Sequence, residues 1–490
     1  MKMRIKRINS KISFTKTASF VFALLFISTF NAQEDKWTLK ACVDYAIEHN
    51  ISIAQSNLDV EQSEIDKSDA IGNFLPTLNG SGSHSWNIGL NQNITTGILE
   101  NLTTQFTSLG LSSNVTIYGG LRNINQLHRS NLAIMASRYQ LENIKDDISL
   151  LVVNSFLQIL FNKEQLKIQE KQYEITKQDV NRVNELVEAG VVPRGDILEL
   201  KATLASQAQQ IVNIKNTVLL SKISLAQTLL IKDYNNFDIV DIEYDVPLSS
   251  ILNESPTTII EKAKEERYNI KIAEANVKLA EYDLKIAKGR LHPTLSAFYG
   301  YNTRASYSDR IIGADQVLDG TNTQIGFVES TGEPVLTPNI TATPIIASPD
   351  ALFDQFSLND GHSFGLSLNI PIFNGFSARN NVQRSLINLE RSKNQLKQAD
   401  LDIETVVYQA INDAKAALTA YEATLKTMEA REEAFNYSKE RYNLGLLNSF
   451  DFSQSQARLE QAQSDVIRTK FDFIFSIKVL EFYFGIPFIN

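Results

Sequence analysis

Residues that make disulfides, metal sites or catalytic centres are scarce in this sequence of 490 residues. Cys42 is the only cysteine, so neither a disulfide within the chain nor a cysteine zinc cluster can form. No phosphate-binding glycine loop precedes a helix, and no nucleophile motif is present. The five histidines lie far apart, without metal-chelating spacing: His49, His84, His128, His292 and His362. The sequence therefore predicts a protein that is not an enzyme and needs no cofactor or metal.

Concentrated positive charge is also missing. The formal net charge is -9, and no basic cluster follows the first 20 residues. Binding to nucleic acid needs a positive surface that neutralises phosphates. The sequence therefore predicts no nucleic-acid partner.

The N-terminus has the pattern of a secretory signal peptide. Basic residues are followed by a mostly apolar run at 18–30 and by Ala32, where cleavage is expected. The run is too short to span a bilayer as a helix. We therefore predict that residues 1–32 are a signal peptide. Cys42 lies beyond a polar stretch, inside an amphipathic pattern, and is expected to be a small buried apolar residue.

The remaining sequence contains one unit twice. Gly190 and Asp196 reappear 255 positions later as Gly445 and Asp451. This pattern predicts a first repeat at 33–245 and a second at 246–490. Two further pairs mark junctions between helix and strand: Pro76 with Pro293, 217 positions apart, and Gly120 with Gly375, 255 apart.

Each repeat is predicted to contain a helix, two strands and a long helical hairpin. The first helix runs over 38–74, with Thr38 as its N-cap, and its counterpart runs over 257–291; each stops before a proline. The period then changes from 3.6 to 2, which indicates strands with one apolar face. Strands of about ten residues can cross a membrane when tilted. The alternation alone equally allows a soluble sheet covered on one face by helices.

The second repeat holds 38 more residues than the first between its proline and its glycine turn. The surplus falls near 302–361, a segment rich in Gly, Pro, Thr and Asp. We predict a long external loop there.

Two stretches of nearly 70 residues, 121–189 and 376–443, contain no proline, and neither has an internal glycine. A helix of that length measures roughly 105 Å. The shorter helices of about 35 residues would span the same length when stacked in pairs. This match predicts a rod of two long helices and two stacked pairs.

Two strands per repeat give four per chain, too few to close a barrel. An open sheet edge is not tolerated in lipid. If the strands cross a membrane, several chains must share one barrel. A secreted chain with that requirement and with long helical rods is expected to form a conduit across an outer membrane.

The order and doubling of these features resemble the TolC-like outer membrane efflux proteins, the outer membrane factors of tripartite export systems. The resemblance covers the whole mature chain and includes Trp37-Thr-Leu, Tyr45-Ala and the paired glycine turns. It implies an α+β membrane protein with a duplicated helix-strand-strand-helix unit. Three chains would share one transmembrane β-barrel and one long coiled-coil α-barrel that forms a periplasmic tunnel.

The resemblance also implies location and partners. The protein would lie in the outer membrane of a Gram-negative bacterium, in contact with its lipid, and extend into the periplasm. As a homotrimer it would be the passive exit duct of a tripartite efflux or type I secretion system. A periplasmic adaptor would connect it to an inner-membrane pump of unknown class.

The turns at Gly190 and Gly445 would form the periplasmic tip, where the adaptor docks and the closed channel narrows. Asp196 and Asp451 match acidic positions that follow the tip glycines. A threefold ring of Asp451 would concentrate cations. Each aspartate is also expected to cap its return helix, and the two roles are compatible.

The contacts that close the tip are expected to differ from those of the best-known members. Tyr442 matches a tyrosine used in their tip contacts, but an arginine position is Leu447 here and an acidic position is Gln454. We therefore predict a different lock, with Arg441 and Arg194 as its candidate residues.

A second class of function fits the long helices alone. A secreted coiled-coil scaffold with a soluble β cap would have the same helical pattern. A channel would need detergent for extraction, whereas a scaffold would leave the cell envelope with a buffer wash.

Overall fold

The computed structural model describes residues 36–92, 97–241 and 250–486. The predicted signal peptide, residues 1–32, and the predicted boundary between repeats at 245/246 lie outside them. The chain folds into two compact units, each containing segments of both halves of the sequence. Unit one comprises Met1–Leu58, Arg138–Ile272 and Lys397–Asn490, and unit two comprises Asp59–Ser137 and Ala273–Leu396.

The two halves contain matching elements. In the first half these are α1 (Leu39–His49), α2 (Ile51–Gly72), β1 (Thr77–Gln92), β2 (Leu99–Gly119), α3 (Arg122–Glu188) and α4 (Arg194–Thr228). In the second half they are α5 (Pro256–Glu266), α6 (Tyr268–Gly289), β3 (Thr294–Ser306), β6 (Gly361–Asn369), α8 (Ser377–Asn443) and α9 (Ser449–Phe484). Both α1 and α5 have 11 residues, α2 and α6 have 22, and α3 and α8 have 67.

The long helices and their return helices are confirmed, but the prediction of one continuous helix before each proline is wrong. Asn50 separates α1 from α2, and Arg267 separates α5 from α6, each with an extended backbone. Asn50 Oδ1 accepts a hydrogen bond from Ser52 N at 2.8 Å, so its side chain competes with the helical ladder. Arg267 lies over the Phe482 ring at 3.9 Å and pairs with Asp146 at 3.3 Å. Tertiary contacts therefore favour this second break.

Helix starts follow local chemistry where the sequence offers it. Thr38 is the N-cap of α1, as predicted, and its hydroxyl accepts from Ala41 N at 3.2 Å. Ser255 has the same role for α5. No helix among the described residues is long and apolar enough to cross a bilayer.

The four predicted strands form one antiparallel sheet in the order β1-β2-β3-β6. The pairing of β2 with β3 joins the two halves of the chain, and Ser112 lies opposite Gly300 there. Among the described residues, β1 and β6 each have an outer edge without a neighbouring strand. The last strand of this sheet ends at Asn369.

Apolar side chains of this sheet are exposed in the single chain. Ile88 is 82% exposed, Phe364 81% and Leu78 74%. A soluble sheet would bury such a face under helices, and the residues that the structure describes do not cover it. The exposed face therefore favours lipid over the soluble-sheet interpretation.

Segment 302–361, predicted as a long external loop, has regular secondary structure. It contains the end of β3, a hairpin of β4 (Arg310–Phe327) and β5 (Pro334–Ala347), and the short helix α7 (Leu352–Leu358). Alternation in β5 places Leu336, Ile340 and Ile346 on one face and threonines on the other. Gly- and Thr-rich composition had concealed this pattern.

Unit one is centred on apolar residues from α1, α3, α4 and α9. Cys42 is fully buried there among residues such as Phe156 and Ile474, which confirms its predicted role. Burial raises the pKa of the Cys42 thiol to about 12. The thiol is therefore protonated and inert in the folded protein.

Ion pairs between lysines and two aspartates fix the chain after α4 to this core. Trp37 N donates to Asp238 O at 2.9 Å, and Val240 N donates to Trp37 O at 3.0 Å. Asp238 Oδ1 accepts from Lys163 at 2.7 Å and from Lys222 at 2.8 Å. Lys163 also reaches Asp241 at 2.8 Å. Burial opposes ionisation of Asp238, but the lysine hydrogen bonds outweigh it and lower its pKa to about 2.

Candidate functional site

The turns after α3 and α8 have the same geometry. Gly190 has φ +78° and Gly445 has φ +75°, the left-handed conformation that ends helices. Val191 N donates to Leu186 O, and Leu446 N donates to Arg441 O, each at 2.9 Å. Nothing lies within 4 Å of a Cβ placed at either glycine. Within one chain, glycine is therefore needed at these two positions because of the positive φ, and not because another helix comes close.

The predicted capping role of the two aspartates is wrong. The N-cap of α4 is Pro193 and that of α9 is Asn448, so Asp196 and Asp451 lie in the first turns instead. Asn448 Oδ1 accepts from Asp451 N at 2.8 Å, and its amide donates to Asp451 Oδ2 at 3.0 Å. Negative charge in a first turn still favours the helix, through the helix dipole.

Asp196 connects the two turns. Its Oδ1 accepts a hydrogen bond from Ser449 Oγ at 2.7 Å, across 253 positions of sequence. Ser449 is 4% exposed, so this bond lies inside the contact between the starts of α4 and α9. Sequence analysis did not identify Ser449, because its partner Asp196 lies 253 positions away in the sequence.

Tyr442 packs inside the α8–α9 hairpin. Its ring is stacked on Phe452 with centroids 4.4 Å apart and planes 5° apart. Leu447, which departs from the family pattern, packs against the same cluster. Burial and the nearby Asp196 carboxylate raise the pKa of Tyr442. Its hydroxyl therefore stays protonated well above neutral pH.

Arg182 was missing from the sequence prediction, yet it joins α3 to α8. Its guanidinium donates to Asn443 Oδ1, donates to Asp179 Oδ1 at 3.0 Å, and lies 5.7 Å from the Tyr442 ring centroid. No motif marks this position, and its counterpart 255 positions later is Tyr437. Comparison of the two halves therefore could not identify Arg182.

The two predicted lock arginines make weaker contacts. Arg441 donates to Leu446 O at 3.5 Å, within its own hairpin, and lies 5.9 Å from the Tyr437 ring. Arg194 is exposed at the start of α4. Within one chain the structure brings Asp196 and Tyr442 close together, but not these two arginines.

A cavity of about 590 Å³ separates the two turns. Its wall is mostly apolar, with Leu186, Val191 and Leu446 among the lining residues, and with Asp196 and Arg182 as its charged groups. A groove of this kind can accept an apolar segment that also carries polar groups.

The strand–helix junctions form a second group of predicted residues. Pro76 and Pro293 each directly precede a strand, and the preceding helices end at Gly72 and Gly289. Gly120 has φ +66° and Gly375 has φ +62°.

The two junctions differ in their surroundings. A Cβ at Gly120 would collide with Gly289 O and lie 2.9 Å from His292 Cβ, whereas one at Gly375 would meet nothing within 4 Å. Only the first junction is therefore tightly packed within one chain.

The sequence matches the profile of the outer membrane efflux protein family over residues 43–229 and 259–472. The chain belongs to the outer membrane efflux protein family.

Solved channels of low sequence identity share its fold. The outer membrane protein VceC from Vibrio cholerae has a TM-score of 0.70 and 13% identity, with 92% of this chain and 96% of that chain covered. The Campylobacter jejuni CmeC outer membrane channel has a TM-score of 0.70 and 16% identity, with 99% of this chain and 94% of that chain covered. CusC, whose structures concern folding and transmembrane channel formation, has a TM-score of 0.72 and 15% identity, with 92% of each chain covered. No curated protein sequence matches the chain.

Family membership confirms the predicted TolC-like fold class and excludes the scaffold alternative. An outer membrane efflux protein is a transport duct and not an enzyme. Its location is the outer membrane of a Gram-negative bacterium, from which it extends into the periplasm.

The helical part of this efflux protein contains a buried polar stripe. Gln456 is 1% exposed and donates to Thr176 at 2.8 Å, and Gln207, 5% exposed, donates to Glu460 at 2.5 Å. Burial raises the pKa of Glu460 to about 7, and the Gln207 bond opposes that rise. Ionisation of Glu460 near neutral pH therefore works against the packed helices.

Replacing Glu460 by glutamine should stabilise the helices above pH 7. The folded-state pKa of Glu460 is above its ordinary value of 4.5. The stabilisation by the protonated side chain is therefore complete below pH 4.5 and is lost as pH rises through 7. At pH 8 we expect a gain of about 1 kcal/mol after solvent screening. Thermal unfolding followed by circular dichroism from pH 4.5 to 8 measures it. The exposed Glu199→Gln is the control and should follow the wild-type pH profile.

Replacing Gly120 by alanine should prevent stable folding of unit two. The left-handed conformation and the collision with Gly289 O together cost about 3 kcal/mol or more. The matched Gly375→Ala has the backbone cost alone, about 1–2 kcal/mol. Yield and melting temperature of the two refolded chains before assembly provide the comparison. Equal losses would contradict the packing difference between the junctions.

Proposed function

We propose that three copies of this chain form one channel that conducts solutes from the periplasm to the exterior. The channel would be the passive exit duct of a tripartite efflux or type I secretion system. An inner-membrane pump would drive transport through a periplasmic adaptor. The observation that carries this proposal is a four-stranded sheet with exposed apolar side chains and, among the described residues, two unpaired edges, in a chain of the efflux family.

The sheet edges support the sharing of one barrel between chains. Unpaired N–H and C=O groups are too costly in lipid for an open sheet to persist there. Three copies supply twelve strands, and β6 of one chain then pairs with β1 of the next. Barrels with clearly more than eight strands can enclose water, so a shared barrel gives a conducting pore.

The tip residues support a closed end at the turns after α3 and α8. Asp196, Arg182 and Tyr442 hold the two hairpins together in one chain. In a trimer, exposed Asp451 would form an acidic ring that favours cations over anions. The apolar groove between the turns, with Gly190 and Gly445 at its sides, would receive the adaptor.

Purified protein in mild detergent should have the mass of three 55.0 kDa chains, less any cleaved signal peptide. The same preparation should conduct ions across planar lipid once the tip opens. Native mass spectrometry and single-channel recording measure these two properties. A single-chain mass without ion current would refute the proposal.

A further inference from the structure

Two of the contacts between the halves of the chain join the start of α3 to α6 in unit two. In the bend just before α3, Gly120 meets the backbone of Gly289 at the end of α6. Further along, Arg129 forms a bidentate ion pair with Asp283, with Nε–Oδ1 at 2.5 Å and Nη2–Oδ2 at 3.3 Å. The first turns of α3 and the bend before it therefore present an arginine and a glycine to α6.

The same residue types are found at all four equivalent positions. Gly375 and Arg384 follow Gly120 and Arg129 by 255 positions, and Gly72 and Asp66 precede Gly289 and Asp283 by 217. The helices obey the same offsets: α8 starts 255 positions after α3, and α2 starts 217 before α6.

Nearby contact residues are not retained in this way. His128 and Tyr282 have ring centroids 5.7 Å apart, yet their equivalents are Gln383 and Ile65. The glycine pair and the ion pair are both retained, and the acidic and basic residues keep their helices. This indicates a second contact of the same kind, between helices equivalent to α3 and α6.

Among the described residues of one chain, that second contact is not made. Nothing lies within 4 Å of a Cβ placed at Gly72 or Gly375. Asp66 accepts a hydrogen bond from Gln62 at 3.0 Å, one turn earlier, and Arg384 is exposed. Ile65 and Phe376, next to these residues, are 52% and 57% exposed.

We infer that Gly375 and Arg384 of one chain bind Gly72 and Asp66 of the next chain. The seam between chains then repeats the seam between the two halves of one chain. This inference rests on the proposed trimer and names the residues that hold it together. The contact would cover Ile65 and Phe376 and would give Gly375 the close approach that one chain does not provide.

Gly72→Ala separates assembly from folding. Gly72 has an ordinary helical φ and open space around its Cβ position, so alanine should leave the chain at least as stable as before. Between chains, the added methyl group would collide with the Gly375 backbone. We expect wild-type circular dichroism and melting of the unassembled chain, with exchange of labelled subunits at least about tenfold faster. Gly289→Ala is the matched control inside the chain and should impair folding itself.

A charge exchange tests the ion pair. Asp66→Arg and Arg384→Asp should each accelerate subunit exchange about tenfold, because each places like charges across the seam. The double variant restores an opposite-charge pair and should return the rate to within about twofold of wild type. The equivalent exchange of Arg129 and Asp283 acts inside one chain and should change melting of the chain rather than subunit exchange.

Native mass spectrometry distinguishes failure of this inference from failure of the proposed function. If the protein has the mass of three chains, but Gly72→Ala exchanges at the wild-type rate and the double variant shows no rescue, the seam lies elsewhere and the inference is wrong. If the protein has the mass of one chain, the trimer itself is refuted.

Discussion

Replacement of Arg182 by alanine is expected to raise the resting conductance of the channel about tenfold. The guanidinium of Arg182 holds α3 against α8 through Asn443 and the Tyr442 ring, and it binds Asp179 on its own helix. A hydrogen bond to a charged group contributes about 1.5–3 kcal/mol, and 1.4 kcal/mol changes an equilibrium tenfold. Loss of Arg182 should therefore shift the tip toward its open state. Single-channel recording in planar lipid measures the change.

Arg194→Ala and Arg441→Ala are matched controls with the same change of charge. Arg194 is exposed, and Arg441 bonds within its own hairpin, so both should change conductance less than about twofold. Arg182→Lys should give an intermediate result, because an ammonium group lacks the planar fork of arginine. Equal effects of all three alanine variants would indicate a general charge effect and would refute a specific role for Arg182.

Replacement of Asp238 by asparagine should destabilise unit one by about 2 kcal/mol. Asp238 accepts from Lys163 and Lys222, and the Lys163 side chain is 11% exposed. Asparagine would leave these partly buried ammonium groups without their main counter-charge. Thermal unfolding followed by far-UV circular dichroism at pH 7 should show a lower melting temperature.

Acid should reproduce the effect of this substitution in the wild-type protein. The folded-state pKa of Asp238, about 2, is below its ordinary value of 3.8, so its stabilisation is complete well above pH 4 and is lost as pH falls toward 2. The melting temperatures of wild type and Asp238→Asn should therefore converge in that range. The control Asp241→Asn removes a more exposed carboxylate and should lower the melting temperature less. If Asp238→Asn melts like the wild type at pH 7, the lysine network does not stabilise the core.

The sequence predicted those elements whose limits are set by local chemistry. Prolines and left-handed glycines ended the helices near Pro76, Gly190 and Gly445, and alternation located the strands of the main sheet. Interruptions caused by distant contacts were missed. The stacking of Arg267 on Phe482 is one such contact, since nothing near Arg267 in the sequence signals a break.

The candidate site was predicted in outline only. Tyr442 and Asp196 were found through the glycine turns, and the structure places them close together between the two turns. The contacts of Arg182 and Ser449 depend on packing between helices that are more than 250 positions apart in sequence. The spacing of residues within one segment of sequence cannot predict contacts of this kind.

The burial of Cys42 also has a practical use for spectroscopy. A native chain whose single sulfhydryl is shielded and protonated can receive one engineered cysteine at any exposed position, without prior removal of the natural one. Spin labels or fluorescent dyes attached there would report distances across the working pore from an otherwise unmodified background.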